Sequence, residues 1–260
     1  MDLGMKGRTA IVCASSKGLG RASAAHLAAA GVDLVVNART PGPLEETAEA
    51  LRAAHGVQVT AVAADVATED GRAAILAAAP NADILVNNGG GPPPGLWSEW
   101  ERDAWLAAIE ANMLAPILLT KALLPGMIER GWGRIVNITS GSVKSPIPQL
   151  GLSNAARAGL TGFVAGTARQ VARHGVIMNN LLPGSHDTDR IEGLMRNIAA
   201  QNNITPEAAR AGAMAANPTG RFGDPEEFGA VCAFLCSAHV GFMVGQNVLL
   251  DGGAFNATMG

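Results

Sequence analysis

Short runs of consecutive apolar residues alternate with longer Ala-rich stretches along the whole chain. "TAIVCA", "VDLVVNAR", "VQVTAVAAD", "ADILVNN", "GRIVNITS", "VIMNNLLPG" and "NVLLDGG" are dominated by apolar residues. Such runs predict strands buried on both faces, as in a parallel sheet, and not the alternation of a half-wet antiparallel one. Between them "RASAAHLAAAG" predicts a helix stopped by Gly31, "PLEETAEALRAAHG" one closed by Gly56, and "EDGRAAILAAA" a third. Longer helices are expected over about 98–130 and 153–173, a helical insertion over 188–216, and a last helix after Pro225. Strand–helix alternation with right-handed crossovers predicts an α/β fold, a Rossmann-type doubly wound parallel sheet with helices on both faces. No linker, composition break or fixed-period repeat divides residues 1–260, so one domain is expected.

Composition narrows the function classes. Apolar residues make up 48% and charged residues 16% of the 260, which is globular and not disordered. A formal charge of −3, with Lys and Arg scattered, gives no reason to expect nucleic acid. Three cysteines, Cys13, Cys232 and Cys236, without a disulfide framework suggest a reducing, cytoplasmic setting. Cys232 and Cys236 lie in an apolar helical run without ligand-spaced partners, so packing is expected and no metal site. The N-terminus shows no basic and apolar leader pattern. Phe228–Leu250 lacks Asp, Glu, Lys and Arg and is long enough to span a bilayer. His239, Gly241, Gly245, Gln246 and Asn247 interrupt it, which favours a helix, a turn and a buried strand, with no membrane partner.

The first strand ends in "CASSKGLG", Cys13–Gly20. Free N–H groups where a helix begins after a strand attract phosphate, and Gly18 and Gly20 would let the backbone approach it. Ser15 and Ser16 offer hydroxyls, Lys17 stands in the turn, and Leu19 lies between the glycines. Glycines at such turns also serve geometry alone, so both readings stay open. An NAD-binding strand of this kind usually ends in an acid, but here "VVNAR" brings Arg39. A guanidinium there suits a 2′-phosphate and favours NADP(H) over NAD(H).

These features together resemble the short-chain dehydrogenase/reductase family, especially its 3-oxoacyl-carrier-protein-reductase-like members. The ordered markers run from the first turn through "AADV", "NNGG", Asn112, "IVNITS" and "LLPG" to "GRFGDPEEFG" and "GQNVLLDGG". The resemblance implies adenine contact at Asp65 and Val66, ribose and nicotinamide-side contact at Asn88, Gly89 and Gly90, and further cofactor contact at Pro183, Gly184 and Thr188. It also implies a homotetramer or homodimer joined by the long helices and the C-terminal strand, acting on a small-molecule substrate.

The family's catalytic set is Asn, Ser, Tyr and Lys, yet this chain contains no tyrosine. The family's spacing places Ser140 and Asn112 at the retained positions, with Ser153 where Tyr stands and Arg157 where Lys stands. An aliphatic hydroxyl is a poor proton source beside a phenol of pKa about 10, and a guanidinium does not relay protons. Lys144 and His186 are candidate replacement acid–base groups, although His186 also fits an exposed loop histidine. "GPPPGLWSEW" predicts a stiff segment whose Trp97 and Trp100 either wall the pocket or pack on a neighbouring helix or subunit. The expected function is an atypical NADP(H)-dependent oxidoreductase acting on a small carbonyl, imine or alcohol by a tyrosine-independent route. A catalytically silent nucleotide-binding or oligomeric protein, and a non-redox lyase or hydratase, are the alternatives.

Overall fold

Seven parallel strands, in the order β3-β2-β1-β4-β5-β6-β7, organise the computed structural model, which describes residues 1–258. The last two residues of the expected 1–260 span lie outside the described residues. The strands are β1 (Thr9–Val12), β2 (Asp33–Ala38), β3 (Val59–Ala63), β4 (Ile84–Asn87), β5 (Gly133–Ile138), β6 (Val176–Pro183) and β7 (Asn247–Leu250). Consecutive strand residues point to opposite faces. Ala10 and Val12 therefore join a core with Leu27, Leu44 and Phe228, while Ile11 joins one with Leu119, Met127 and Val164. That two-sided burial is why the strands lack polar alternation.

Helices α1 (Gly18–Ala29), α2 (Pro41–His55) and α9 (Pro225–Leu235) cover the first face. The second is covered by α3 (Glu69–Ala78), α5 (Ala115–Glu129) and α6 (Gly151–Val171). The expected helix over 98–130 is α4 (Arg102–Ile109) running into α5 through a π-helical turn, Glu110–Leu114. Pro116 has no N–H for the carbonyl of Asn112, so regular α-helical bonding fails at that point. This 28-residue helix is long and apolar enough to cross a membrane by length alone. Leu119, Leu123 and Met127 nevertheless bury one side of it in the protein core.

The stretch expected as one helical insertion is two helices, α7 (Asp189–Asn202) and α8 (Pro206–Ala215). Asn203 takes a left-handed conformation that ends α7, and the Thr205 hydroxyl caps α8. Their own small core, with Ile191, Met195, Ala209 and Phe222, stands apart from the two main ones. The uncharged stretch 228–250 is the rest of α9, a 3₁₀ turn at Ala238–Val240 and the edge strand β7. β7 is half-buried, where a buried strand was expected, because no eighth strand covers its outer edge.

The chain reverses its direction of travel across the sheet between β1 and β4. In such sheets the ligand crevice opens at the carboxyl ends of those two strands. Here those ends carry Cys13–Gly20 and Asn88–Gly91.

Candidate active site

The turn after β1 is held from within. The Ser15 hydroxyl donates to the Val12 carbonyl at 2.9 Å and accepts from the Asn37 N–H at 3.1 Å. Ser15 is fully buried, so its expected role as a free ligand for phosphate is corrected: it ties β1 to β2. Gly20 is likewise a packing position, since a Cβ there would sit 2.3 Å from the Ala14 carbonyl oxygen and 2.7 Å from Asn88 Nδ2. Asn88 donates to that same carbonyl at 3.2 Å and so locks the β4 end to the turn. Ala14 adopts φ +47°, a left-handed conformation rare for a residue with a Cβ. Cys13 lies buried behind it, its thiol pushed up to about 12 by burial and therefore unreactive.

Ser16, Gly18 and Leu19 are half-buried along the open side of the turn, with Thr188 facing Gly18 from the start of α7. Lys17 does not stand free. Its ammonium pairs with Asp189 at 2.9 Å, an exposed contact across the crevice. Arg39 at the end of β2 is exposed, with no acidic partner among the described residues. Asn37, by contrast, is buried and donates to the carbonyls of Val62 and Ala64, tying the β2 end to β3. Asp65 is half-buried beyond β3, accepting from the Ala67 N–H, and Val66 packs against the second core. Outside the turn, a surface cleft of about 480 Å³ runs between α1, α2 and the start of α7.

Beyond the crevice lie the other candidates. Arg157 is buried on α6, and each of its three side-chain nitrogens donates one hydrogen bond. Nε donates to Ser153 Oγ at 3.2 Å, one terminal nitrogen to the Ile138 carbonyl at 2.8 Å, the other to the Gly89 carbonyl at 3.1 Å. Burial first, and then the nearby Arg190 charge, lower its pKa to about 10, so it remains protonated at neutral pH. Ser153, buried one helical turn before it, keeps its own hydroxyl proton available. Asn112, carried by the π turn, donates to Ala108 while its Oδ1 is buried without a partner. Asn112, Arg157, Asn88 and Gly89 line one small cavity. Ser140 caps the 3₁₀ turn after β5, accepting from the Ser142 N–H at 3.1 Å. Pro183 and Gly184 end β6 beside β7, and Gly90 has open space around it.

The two proposed replacement acids fare differently. His186 is not an exposed loop histidine. It is buried edge-on against Phe228 at 5.2 Å and rests on Gly223, where a Cβ would lie 2.7 Å from the ring. That packing gives the imidazole a structural place and removes the solvent access expected of it. Lys144 is half-buried, its ammonium 5.9 Å from the Phe255 ring. Trp100 packs on Gly95, Gly151 and, edge-on at 5.8 Å, Trp105, whereas Trp97 projects into solvent. Sequence reasoning missed Arg190, whose guanidinium lies against the Gly91 backbone. No trio of metal-binding side chains occurs among the described residues.

A parallel sheet with a glycine turn and a polar pocket at its switch point is the architecture of the Rossmann-type nucleotide-binding class. Residues 8–198 match the short chain dehydrogenase family model, and the chain belongs to that family. It is 32% identical over 259 residues to the 3-oxoacyl-[acyl-carrier-protein] reductase of Pseudomonas aeruginosa, covering 97% of this chain and 99% of that protein. The L-sorbose reductase of Gluconobacter frateurii, solved with NADPH and L-sorbose, superposes with a TM-score of 0.93 at 30% identity, covering 99% and 100% of the two chains. YwfH, an NADPH-dependent reductase of bacilysin biosynthesis, gives 0.91 at 29% identity over 96% and 99%.

Two outcomes follow from this geometry. A left-handed Ala costs about 1–2 kcal/mol, partly offset by the extra chain entropy of glycine. Ala14→Gly is expected to raise stability by about 0.5–1 kcal/mol in chemical denaturation. The burial of His186 lowers its pKa below the ordinary value of 6.5, so the unfolded chain takes up that proton first on acidification. The ring's stabilising contribution is complete above about 6.5 and is lost as pH falls through the lower folded value. Melting curves should therefore show wild type losing more stability than His186→Gln between about pH 7 and 5.

Proposed function

We propose that the chain is an NADPH-dependent oxidoreductase that acts on a small carbonyl, imine or alcohol without a tyrosine. The observation that carries this reading is the buried Ser153–Arg157 pair, a neutral hydroxyl held by a permanent cation where a titrating phenol and ammonium would otherwise operate. The register that sets these two residues at the family's Tyr and Lys positions is part of the proposal.

The residues fit NADPH better than NADH: Arg39 is exposed beside the N-terminus of α2, and no acid stands at the end of β2. On this reading the backbone from Ser16 to Gly20 holds the diphosphate and Arg39 the 2′-phosphate. Asp65 and Val66 flank the adenine, Asn88 to Gly90 the ribose, and Pro183, Gly184 and Thr188 the nicotinamide end. When bound, the cofactor supplies hydride. The chain's own part is orientation and charge. The Ser153 hydroxyl, its oxygen held by Arg157, directs its proton at the substrate oxygen. Arg157 adds a positive field behind it, and Ser140 fixes the loop on the substrate side. Final protonation falls to water, with Lys144 the remaining side-chain candidate.

NADPH titration and its oxidation across a panel of ketones, imines and conjugated carbonyls test this. We expect binding, turnover lowered at least about tenfold by Ser140→Ala, and a rate nearly flat between about pH 6 and 9. Binding without turnover would mark a silent nucleotide-binding protein instead, and a bell-shaped profile centred near neutrality would demand another acid.

The same reading includes a homodimer or homotetramer in a cytoplasmic setting. Exposed Leu106 and Leu118 on the long helix, Phe242 beside β7, and that open edge strand support assembly, and three free buried thiols support the reducing setting. Sedimentation equilibrium should give two or four chains; a monomer at micromolar concentration would remove the assembly.

A further inference from the structure

Two guanidinium groups reach one three-glycine stretch from different helices. Arg157 of α6 donates to the Gly89 carbonyl, and the Arg190 guanidinium, in the first turn of α7, rests on Gly91. A Cβ on Gly91 would fall 2.4 Å from both terminal nitrogens of Arg190, so the contact exists because that residue is glycine.

Several other cations are paired with acids, whereas among the described residues Arg39 and Lys144 are not. Lys17 pairs with Asp189, Arg72 with Glu110, Arg210 with Asp187, and Arg221 with Glu227. Arg157 and Arg190 have no carboxylate within salt-bridge distance among the described residues. Of the acids close to Arg190 in sequence, Asp187 and Asp189 pair with Arg210 and Lys17, and Glu192 forms no ion pair among the described residues. Arg157 uses three of its five N–H donors, on Ser153 and two carbonyls, and none of these partners compensates its charge. Arg190 makes no hydrogen bond within the protein among the described residues, so its planar fork is free. Arg157 is buried, whereas Arg190 is exposed on α7, so an incoming oxoanion can reach the Arg190 fork directly with the uncompensated Arg157 charge behind it.

We propose that the substrate carries a carboxylate, and that Arg190, backed by the fixed charge of Arg157, binds it and selects acids over their neutral analogues. This rests on the oxidoreductase reading of the pocket and adds the substrate class to it. A guanidinium fork matches a carboxylate with two parallel N–H···O bonds, whereas an ester offers no full charge to meet it. The diphosphate of NADPH is the other oxoanion that could meet Arg190, and the experiment separates the two sources.

The probes are acetoacetate, levulinate and 2-oxoglutarate against their methyl esters, titrated by calorimetry into protein saturated with NADPH. Direct binding is read, so the test does not depend on turnover. NADPH affinity is measured first, and its absence would count against the oxidoreductase reading alone. At least one acid should bind about 10- to 100-fold tighter than its ester. Arg190→Gln should abolish that preference while changing NADPH affinity less than about threefold, and Arg190→Lys should keep part of it. The charge-retaining variant also controls for a folding defect in the glutamine one. The proposal is overturned if no acid outbinds its ester. It is equally overturned if Arg190→Gln keeps the preference and weakens NADPH instead, which would give Arg190 to the cofactor.

Discussion

The Arg157 guanidinium joins the parts of the site that no secondary structure joins. Its three bonds tie α6 to the end of β5 and to the glycine stretch after β4. A buried cation costs several kcal/mol of hydration, and here main-chain carbonyls replace the water where a carboxylate usually would. Each charge-assisted bond contributes about 1.5–3 kcal/mol, so three well-aligned acceptors roughly offset the burial. A planar fork can meet acceptors on three elements at once, while an ammonium on a flexible stem cannot hold the same geometry. The position of Ser153, the path of Gly89 to Gly91, and the charge felt in the pocket all depend on that arrangement.

The cofactor side is built on the opposite economy, with neutral groups and close approach. Ser15, Asn37 and Asn88 spend their side chains on neighbouring backbone, which fixes the ends of β1, β2 and β4 relative to one another. The free donors are therefore main-chain N–H groups, the kind that receive phosphate at a helix start. The strain at Ala14 is the cost of threading this turn without glycine at its first bend.

The fold was legible because strands buried on both faces announce themselves through mostly apolar runs, as in Ile84–Asn87. The break between α7 and α8 was missed: Asn203, Thr205 and Pro206 form a stop, a cap and a start, but a continuous helical composition masked them. The π turn at Asn112 was not legible, since it arises from one missing N–H at Pro116 inside an otherwise regular helix. Ser153 and Arg157 were set on one helix by the family's register, and both do lie on α6. His186 could not be placed, because its burial depends on Phe228 and on the bare backbone of Gly223 far along the chain. Arg190 shows the same limit. A basic residue at a helix start looks like surface charge until the sheet brings Gly91 beneath it.

If the site works without a phenol, electrostatics must supply what proton transfer does not. Positioned general acid–base catalysis contributes about 10²–10⁴ in rate, which corresponds to roughly 2.7–5.5 kcal/mol of barrier. One preorganised donor aimed at a developing oxyanion contributes about 2.7–4 kcal/mol in a water-poor pocket. The magnitudes overlap, so a serine hydroxyl held by a permanent cation can in principle replace much of what the phenol did. The exchange has a chemical direction. A fixed cation stabilises the alkoxide that reduction creates, whereas oxidation needs a base to take the alcohol's proton, and neither Ser153 nor protonated Arg157 is one. The proposed chemistry is thus biased toward hydride delivery into the substrate, and most strongly toward electrophiles that form a stabilised anion as they accept it.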